Sequence, residues 1–250
     1  MFRKNSMIDN SSSRKILAVI TARGGSEGIP GKNIKLLGGQ PLIAYSIRVA
    51  KRSKLITDLI VSTDYEDIAD VAREHGAEVP FLRPSEFAAD KTPHVPVMQH
   101  AIKFMEERRN TIYDFAVILQ PTSPFRTRED IDETLSLLIE KKADSAVTLV
   151  EVEGGSHPMK MKKLEHSRVM PYCMEEVEGT RRQDLPPVYK RSGAVYAMRR
   201  DLIINDARLY GDHIVGHIVP KERSVDIDHP VDWLVAEYKL DELKKQGYEF

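Results

Sequence analysis

"KILAVITARGGSEGIPGKN", Lys15 to Asn33, joins an apolar run directly to a loop rich in glycine. The first part, Lys15 to Ala22, is short and dominated by aliphatic residues, which reads as a buried strand. The second part is bare backbone. Its glycines let N–H groups turn toward an anion, and Arg23 and Lys32 add the charge that a polyphosphate needs. Spacing separates this loop from two familiar phosphate-binding patterns. It holds no G-x-G-x-x-G, and a P-loop needs four residues between its first glycine and its Gly-Lys, then Ser or Thr. Here five residues lie between Gly25 and Gly31, and Asn33 follows Lys32. A tight surface turn is the plain alternative; the paired cations favour phosphate.

The strand–loop unit is the first of a series. Pro41 to Ser53 has helical apolar spacing with a proline at its start, "DLIVSTD" (58 to 64) reads as a strand, and Glu66 to His75 as a helix. "AEVPFLRP" (77 to 84) is expected as a third, shorter strand, before a helix from Pro96 to Arg109. "DFAVILQPTSP" (114 to 124) is the strongest strand signal, closed by prolines. "TREDIDETLSLLIEKK" (127 to 142) opens with a threonine cap and early acids and ends in lysines, as a helix dipole favours, and "DSAVTLVEV" (144 to 152) completes the rhythm. Such alternation implies an α/β fold, a Rossmann-like, doubly wound and mostly parallel sheet.

Gly154 to Pro187 breaks the pattern with charged, irregular sequence and is expected to be a small insertion of short strands or loops. "SGAVYAM" (192 to 198) and "HIVGHIV" (213 to 219) return as strands, and "HPVDWLVAEYKLDELKKQG" (229 to 247) as a final helix. One domain over 14 to 250 is expected, behind a disordered tail of residues 1 to 13.

Composition narrows the function. A formal charge of -1 over 250 residues argues against a nucleic-acid binder that works by broad phosphate neutralisation. The lone cysteine, Cys173, cannot form an internal disulfide or a multi-cysteine metal site, which fits a reducing cytoplasm. No signal-peptide core or membrane-length apolar run is present, so a cytoplasmic protein with no membrane contact is expected. The histidines make no metal-ligand spacing; His213 and His217 are four apart but lie in a strand-like run.

In an open sheet of this type ligands collect beyond the carboxyl ends of the strands. Those positions carry "STD" (62 to 64), "LRP" (82 to 84) and "QPTSPFR" (120 to 126). Each alone reads equally as a cap or turn; together they outline one cleft. Near the far end, "VDIDHP" puts Asp226 and Asp228 two apart in an expected strand, on one face. Two adjacent carboxylates call for a cation, and Mg²⁺ prefers oxygen ligands shared with substrate phosphates. The alternative is that Asp228 caps the final helix and Asp226 pairs with an arginine.

In the order "ARGGSEGIPGKN", "IVSTD", "LRP", "LQPTSPFR", "HPMK", "RRQDLPPVYKRSGAVY" and "VDIDHPVDW", the chain resembles the CMP-sialic acid synthetases, or acylneuraminate cytidylyltransferases, from Lys15 onward. The wider group activates legionaminic, pseudaminic and Kdo-type sugar acids. The resemblance implies that a sugar acid's anomeric hydroxyl attacks the α-phosphorus of CTP, giving a CMP-sugar and pyrophosphate. It also implies Mg²⁺ held by Asp226 and Asp228, which with Arg23 and Lys32 would form the catalytic set. Arg23, Gly24, Gly25, Ser26, Lys32 and Asn33 would hold the nucleotide and its triphosphate, and Arg83, Asp90 and Thr92 would border cytosine and ribose. Gln120, Lys160, Arg182 and Gln183 would meet the sugar, and the 154 to 187 segment would complete the pocket in a homodimer. Three residues depart from the family pattern: Glu27 stands where many relatives carry lysine, and Lys190 and Ser192 replace an arginine and an asparagine. An acid beside phosphates repels them unless compensated, so a nucleotide-binding homologue without turnover is the alternative that Glu27 raises.

Overall fold

A computed structural model describes residues 14–25, 28–89, 92–175 and 179–250 and, within these, leaves aside the side chain of Arg182. The expected tail and the candidate residues Ser26, Glu27 and Asp90 lie outside the described residues. The chain runs β1 (Ile16–Thr21), a two-residue-stranded hairpin of β2 (Leu36–Leu37) and β3 (Gln40–Pro41), α1 (Leu42–Arg52), β4 (Asp58–Ser62), α2 (Glu66–Glu74), α3 (His94–Arg109), β5 (Phe115–Leu119), α4 (Arg128–Glu140) and β6 (Ser145–Glu151). A second hairpin follows, β7 (Lys162–Glu165) and β8 (Arg168–Pro171), then β9 (Tyr189–Arg199), α5 (Arg200–Ile204), β10 (Ile214–Ile218) and α6 (Pro230–Lys245).

The six-stranded sheet has the order β10-β6-β9-β5-β1-β4. β4, β1 and β5 are parallel neighbours and β10 is parallel to β6, while β9 runs antiparallel between β5 and β6. Because the chain leaves β1 toward β4 and later returns to β5 on its other side, the crevice beyond the ends of β1 and β5 is a topological switch point.

Strand pleating divides the core. Ile16, Ala18 and Ile20 pack under α1, α2 and α4, whereas Leu17 and Val19 face α3 and α5 on the other side. A third cluster sits at the crevice end, where Ile29, Leu37, Phe125 and Ile227 meet Trp233, Leu240 and Phe250 around α6. α4 begins with the expected threonine cap, Thr127, in a capping box with Asp130.

Several sequence expectations need correction. Residues 77 to 84 make only two isolated bridges, Ile60 to Glu78 and Thr63 to Leu82, because Pro80 between them has no N–H to give to the ladder. The 225 to 228 stretch is extended and alternates buried and exposed residues but joins no strand; the Ile227 N–H donates to the Thr122 carbonyl at 2.9 Å, and the Asp228 N–H to Asp232 Oδ2 at 3.0 Å. β5 stops at Leu119, so Gln120 to Pro124 is turn rather than strand. The sheet is mostly parallel, as expected, with β9 inserted in the opposite sense, but β9 starts earlier than expected, at Tyr189.

Candidate active site

The switch-point crevice holds a cleft of about 540 Å³. Thr21 and Arg23 reach it from the end of β1, Gln120 to Thr122 from the end of β5, and Asp226, Asp228 and His229 from the extended segment before α6.

Gly31, in the left-handed region at φ 64°, turns the chain into a short 3-10 turn, Lys32–Ile34. That turn buries Lys32 and Asn33. The Asn33 side-chain amide donates to the Arg23 carbonyl at 2.9 Å, closing the loop on itself. Lys32 Nζ donates to the Ile227 carbonyl at 2.5 Å and meets Asp228 Oδ1 at 3.2 Å. The glycine-rich loop and the paired aspartates are therefore one structure. Gly28 makes the contact possible: a Cβ there would sit 2.1 Å from the Asp228 carbonyl oxygen.

Gly24 has a different reason. A Cβ at that position would lie 2.7 Å from the Tyr65 ring, and the Gly24 N–H is already donated to Asp64 Oδ1 at 2.9 Å. Gly24 and Gly25 do not line the cleft.

Arg83 forms a buried wall of the cleft, its Nε donating to Ser62 Oγ at 3.0 Å and its Nη2 to the Ser62 carbonyl. Burial lowers its pKa to about 10 despite the nearby Asp64, so it remains a cation at neutral pH. Beneath the Gln120 turn lies Arg126, which donates to Ser46 Oγ at 2.8 Å and to the Gln120 carbonyl. Its complete burial lowers it to about 9, with Asp130 and Asp226 opposing. Asp130 in turn accepts a two-armed bond from Arg223, whose Nη2 lies 2.9 Å from Oδ1. Arg223 also donates to the Phe125 carbonyl at 3.2 Å, so the β5 turn and the segment leading to Asp226 are stapled together.

Asp226 is pushed up by burial, against a hydrogen bond from Thr122, and the neighbouring Asp228 pushes the same way. Both aspartates face the cleft, while Val225 and Ile227, which alternate with them, are buried. Asp228 is not the cap of the last helix: His229 holds that place in a capping box with Asp232. β9 bulges opposite Thr148, where Ser192 Oγ donates inward at 2.8 Å, and the next residue, Gly193, takes φ 82°. A Cβ on Gly193 would lie 3.0 Å from Ser123 Oγ, 3.3 Å from Gln120 Oε1 and 3.6 Å from Asp226 Oδ2.

Of the residues singled out in sequence, Arg23, Lys32, Asn33, Arg83, Thr92, Gln120, Asp226 and Asp228 line this cleft. Lys160 and Gln183 sit on the insertion and do not. Sequence reasoning missed Gly28, His94 and Thr122, which also line it, and the supporting role of Arg126. Thr122 and Arg126 stood inside a stretch already marked as cleft-forming. Gly28 was visible as a glycine, but its reason is a contact across the chain. His94 left no signal, since its place depends on where α3 begins. Among the described residues, no group of three or more His, Cys, Asp or Glu side chains gathers to hold a metal ion.

A cytidylyltransferase family model matches residues 17–218. The chain belongs to the cytidylyltransferase family. It is 34% identical over 242 residues to a CMP-N,N'-diacetyllegionaminic acid synthase of Legionella pneumophila, covering 93% of this chain and 99% of the relative. It is 30% identical over 223 residues to an N-acylneuraminate cytidylyltransferase of Escherichia coli O18:K1:H7, covering 89% of this chain and 51% of that protein. In fold this cytidylyltransferase matches a CMP:2-keto-3-deoxy-manno-octonic acid synthetase solved with CTP, with a TM-score of 0.67 and 17% identity, covering 92% of this chain and 99% of the other. No helix among the described residues is long and apolar enough to cross a membrane.

Proposed function

We propose that this cytidylyltransferase joins CMP from CTP to the anomeric hydroxyl of a nonulosonic acid and releases pyrophosphate. The observation that carries the reading is the contact of Lys32 with Asp228, which brings an anion-binding loop and a carboxylate pair to one cleft. Lys32, Arg23 and Asn33 hold the triphosphate at the end of β1. Arg83 and Thr92 border the base and ribose, and Gln120 faces the sugar. Aligning the hydroxyl with the α-phosphorus while fixed cations take up charge on the phosphate oxygens accounts for most of the required catalysis.

Asp226 and Asp228 suit Mg²⁺. They are oxygen donors, and their number matches an ion that takes one or two carboxylates and completes its shell with substrate phosphates and water. The upward push on Asp226 from burial and from Asp228 marks a site that gains from a cation. When bound, Mg²⁺ supplies charge neutralisation on the phosphate oxygens.

The hairpin of β7 and β8 supports a homodimer. Leu164 and Val169 form a cross-strand pair with both residues exposed, beside exposed Tyr172 and Met174, and a lone two-stranded ribbon is marginal in water. Packed on a second copy, the 154 to 187 segment carries Lys160, Arg182 and Gln183 toward that copy's sugar pocket. A cytoplasmic setting, where the thiol of Cys173 stays reduced, fits this chemistry.

The deciding experiment incubates the protein with CTP, Mg²⁺ and, in turn, sialic, legionaminic, pseudaminic and Kdo-type acids, and weighs the products. A CMP conjugate and pyrophosphate are expected only when all three components are present. CTP binding with no conjugate from any acid would replace this reading with that of a nucleotide-binding homologue without turnover.

A further inference from the structure

We propose that His94 is a positioning residue that fixes the Gln120 amide, its ring nitrogen accepting from the amide N–H₂ so that the amide oxygen is left to meet donor groups on the sugar. The inference rests on the sugar-acid reading above. Gln120 is the first residue past β5, and its backbone carbonyl is already clamped by Arg126. Only its side chain is therefore free to choose an orientation. The amide Nε2 lies 3.4 Å from His94 Nε2, while Oε1 points the other way, toward the Gly193 notch. Oε1 and Asp226 Oδ2 come within 3.3 and 3.6 Å of the point that a Gly193 Cβ would occupy, and both residues line the cleft, so this wall presents acceptors and selects a substrate with a hydroxyl or acylamino N–H at that point.

A histidine can accept only when uncharged. His94 opens α3 in the cleft wall, where burial and then the Arg83 cation hold its pKa below the ordinary value. A ring N–H on Nε2 would instead invite Oε1 and turn the N–H₂ group toward Asp226. The two orientations present opposite chemistry to the sugar, and the His94 tautomer decides between them.

The test has two arms. In ¹⁵N-labelled protein without substrates, His94 is expected to carry its proton on Nδ1, with an Nε2 resonance that moves in Gln120→Ala; a proton on Nε2 overturns the proposal. In the kinetic arm, His94→Ala raises the sugar-acid KM by about tenfold, as expected for losing an oriented hydrogen bond, with Kd for CTP unchanged. Gln120→Ala does the same, the double variant is no worse than Gln120→Ala, and His94→Gln, which can still accept, recovers most of the loss. Additive effects, or a loss confined to CTP binding, overturn it; thermal melting of each variant separates misfolding from either outcome. A wild-type protein that conjugates no sugar acid removes the functional reading instead, and the labelled-protein arm still judges the ring and amide.

Discussion

Lys32 and Arg83, in the cleft wall, are buried and bonded to backbone carbonyls of neighbouring segments, whereas Lys162, Lys163 and Arg168 on the hairpin of β7 and β8 stand in solvent. The first pair is held before any ligand arrives. The hairpin cations Lys162 and Lys163 pair instead with Glu175 and Glu165, exposed acids on or beside the ribbon itself. A rigid cradle suits a nucleotide of fixed shape, and a projecting ribbon suits the part of the site that meets a sugar and a second copy. If this contrast is right, damage near the cradle should cost folding and catalysis together, and damage on the ribbon should leave the fold intact.

The largest effect is expected at the staple behind the cradle. Arg223→Met strands Asp130 in the core and should destabilise the protein by about 3–5 kcal/mol, measured by urea unfolding at neutral pH. Burial alone would raise the Asp130 carboxyl, but the hydrogen bonds of His217 and Arg223, and the Arg223 charge, hold it well below the usual carboxylate range. The sign follows from that depression. Its contribution is fully present above the unfolded-state value of about 4 and is lost as pH falls through the lower folded value, because the unfolded chain binds the proton first. The stability gap between wild type and Asp130→Asn should therefore narrow progressively below about pH 4.

Next comes Lys32. Lys32→Met removes a fixed cation from the glycine-rich loop and leaves Asp228 without its partner, and if that loop holds the triphosphate kcat should fall by about 10²–10³. The melting temperature should fall as well, because the buried bond from Lys32 to the Ile227 carbonyl is lost, at about 1–3 kcal/mol for a buried acceptor left unpaired; the exposed Asp228 pair adds little. A fall in kcat with the melting temperature unmoved would make Lys32 a catalytic group with no part in the scaffold and break the contrast.

Gly28→Ala tests the joint between loop and aspartates. The added methyl must push the Asp228 backbone away, at about 1–3 kcal/mol for an overpacked contact. CTP affinity, read by calorimetry, should drop with it, since the same movement separates Lys32 from Asp228.

How legible this was in the sequence follows the same division. The strand and loop at Lys15 to Asn33, the helix periods and the strand-end polar clusters are local signals, and they yielded the parallel core and most of the cleft residues. What local pattern could not carry was direction and distance. Nothing in "SGAVYAM" reveals that β9 runs against its neighbours, because period-two alternation is identical in both senses. "AEVPFLRP" has strand composition, yet Pro80 denies it a ladder. The Gly24 in a loop read as phosphate-binding is there for the Tyr65 ring, a neighbour reached through a separate strand.

The smallest effect is expected on the ribbon. Leu164→Ser with Val169→Ser removes an exposed apolar pair whose contacts within this chain are with the hairpin itself. Unfolding stability of the isolated chain should move by no more than about 0.5 kcal/mol, as for surface changes generally. Oligomeric state, read by light scattering, should shift toward monomer if this pair packs on a second copy. CTP binding should survive, because Lys32, Asn33 and Arg83 are positioned by their own chain, while the KM for the sugar acid should rise as Lys160 and Gln183 lose their seat. A variant that stays monomeric yet keeps its sugar KM would assign the whole sugar pocket to one chain and leave the ribbon with assembly alone.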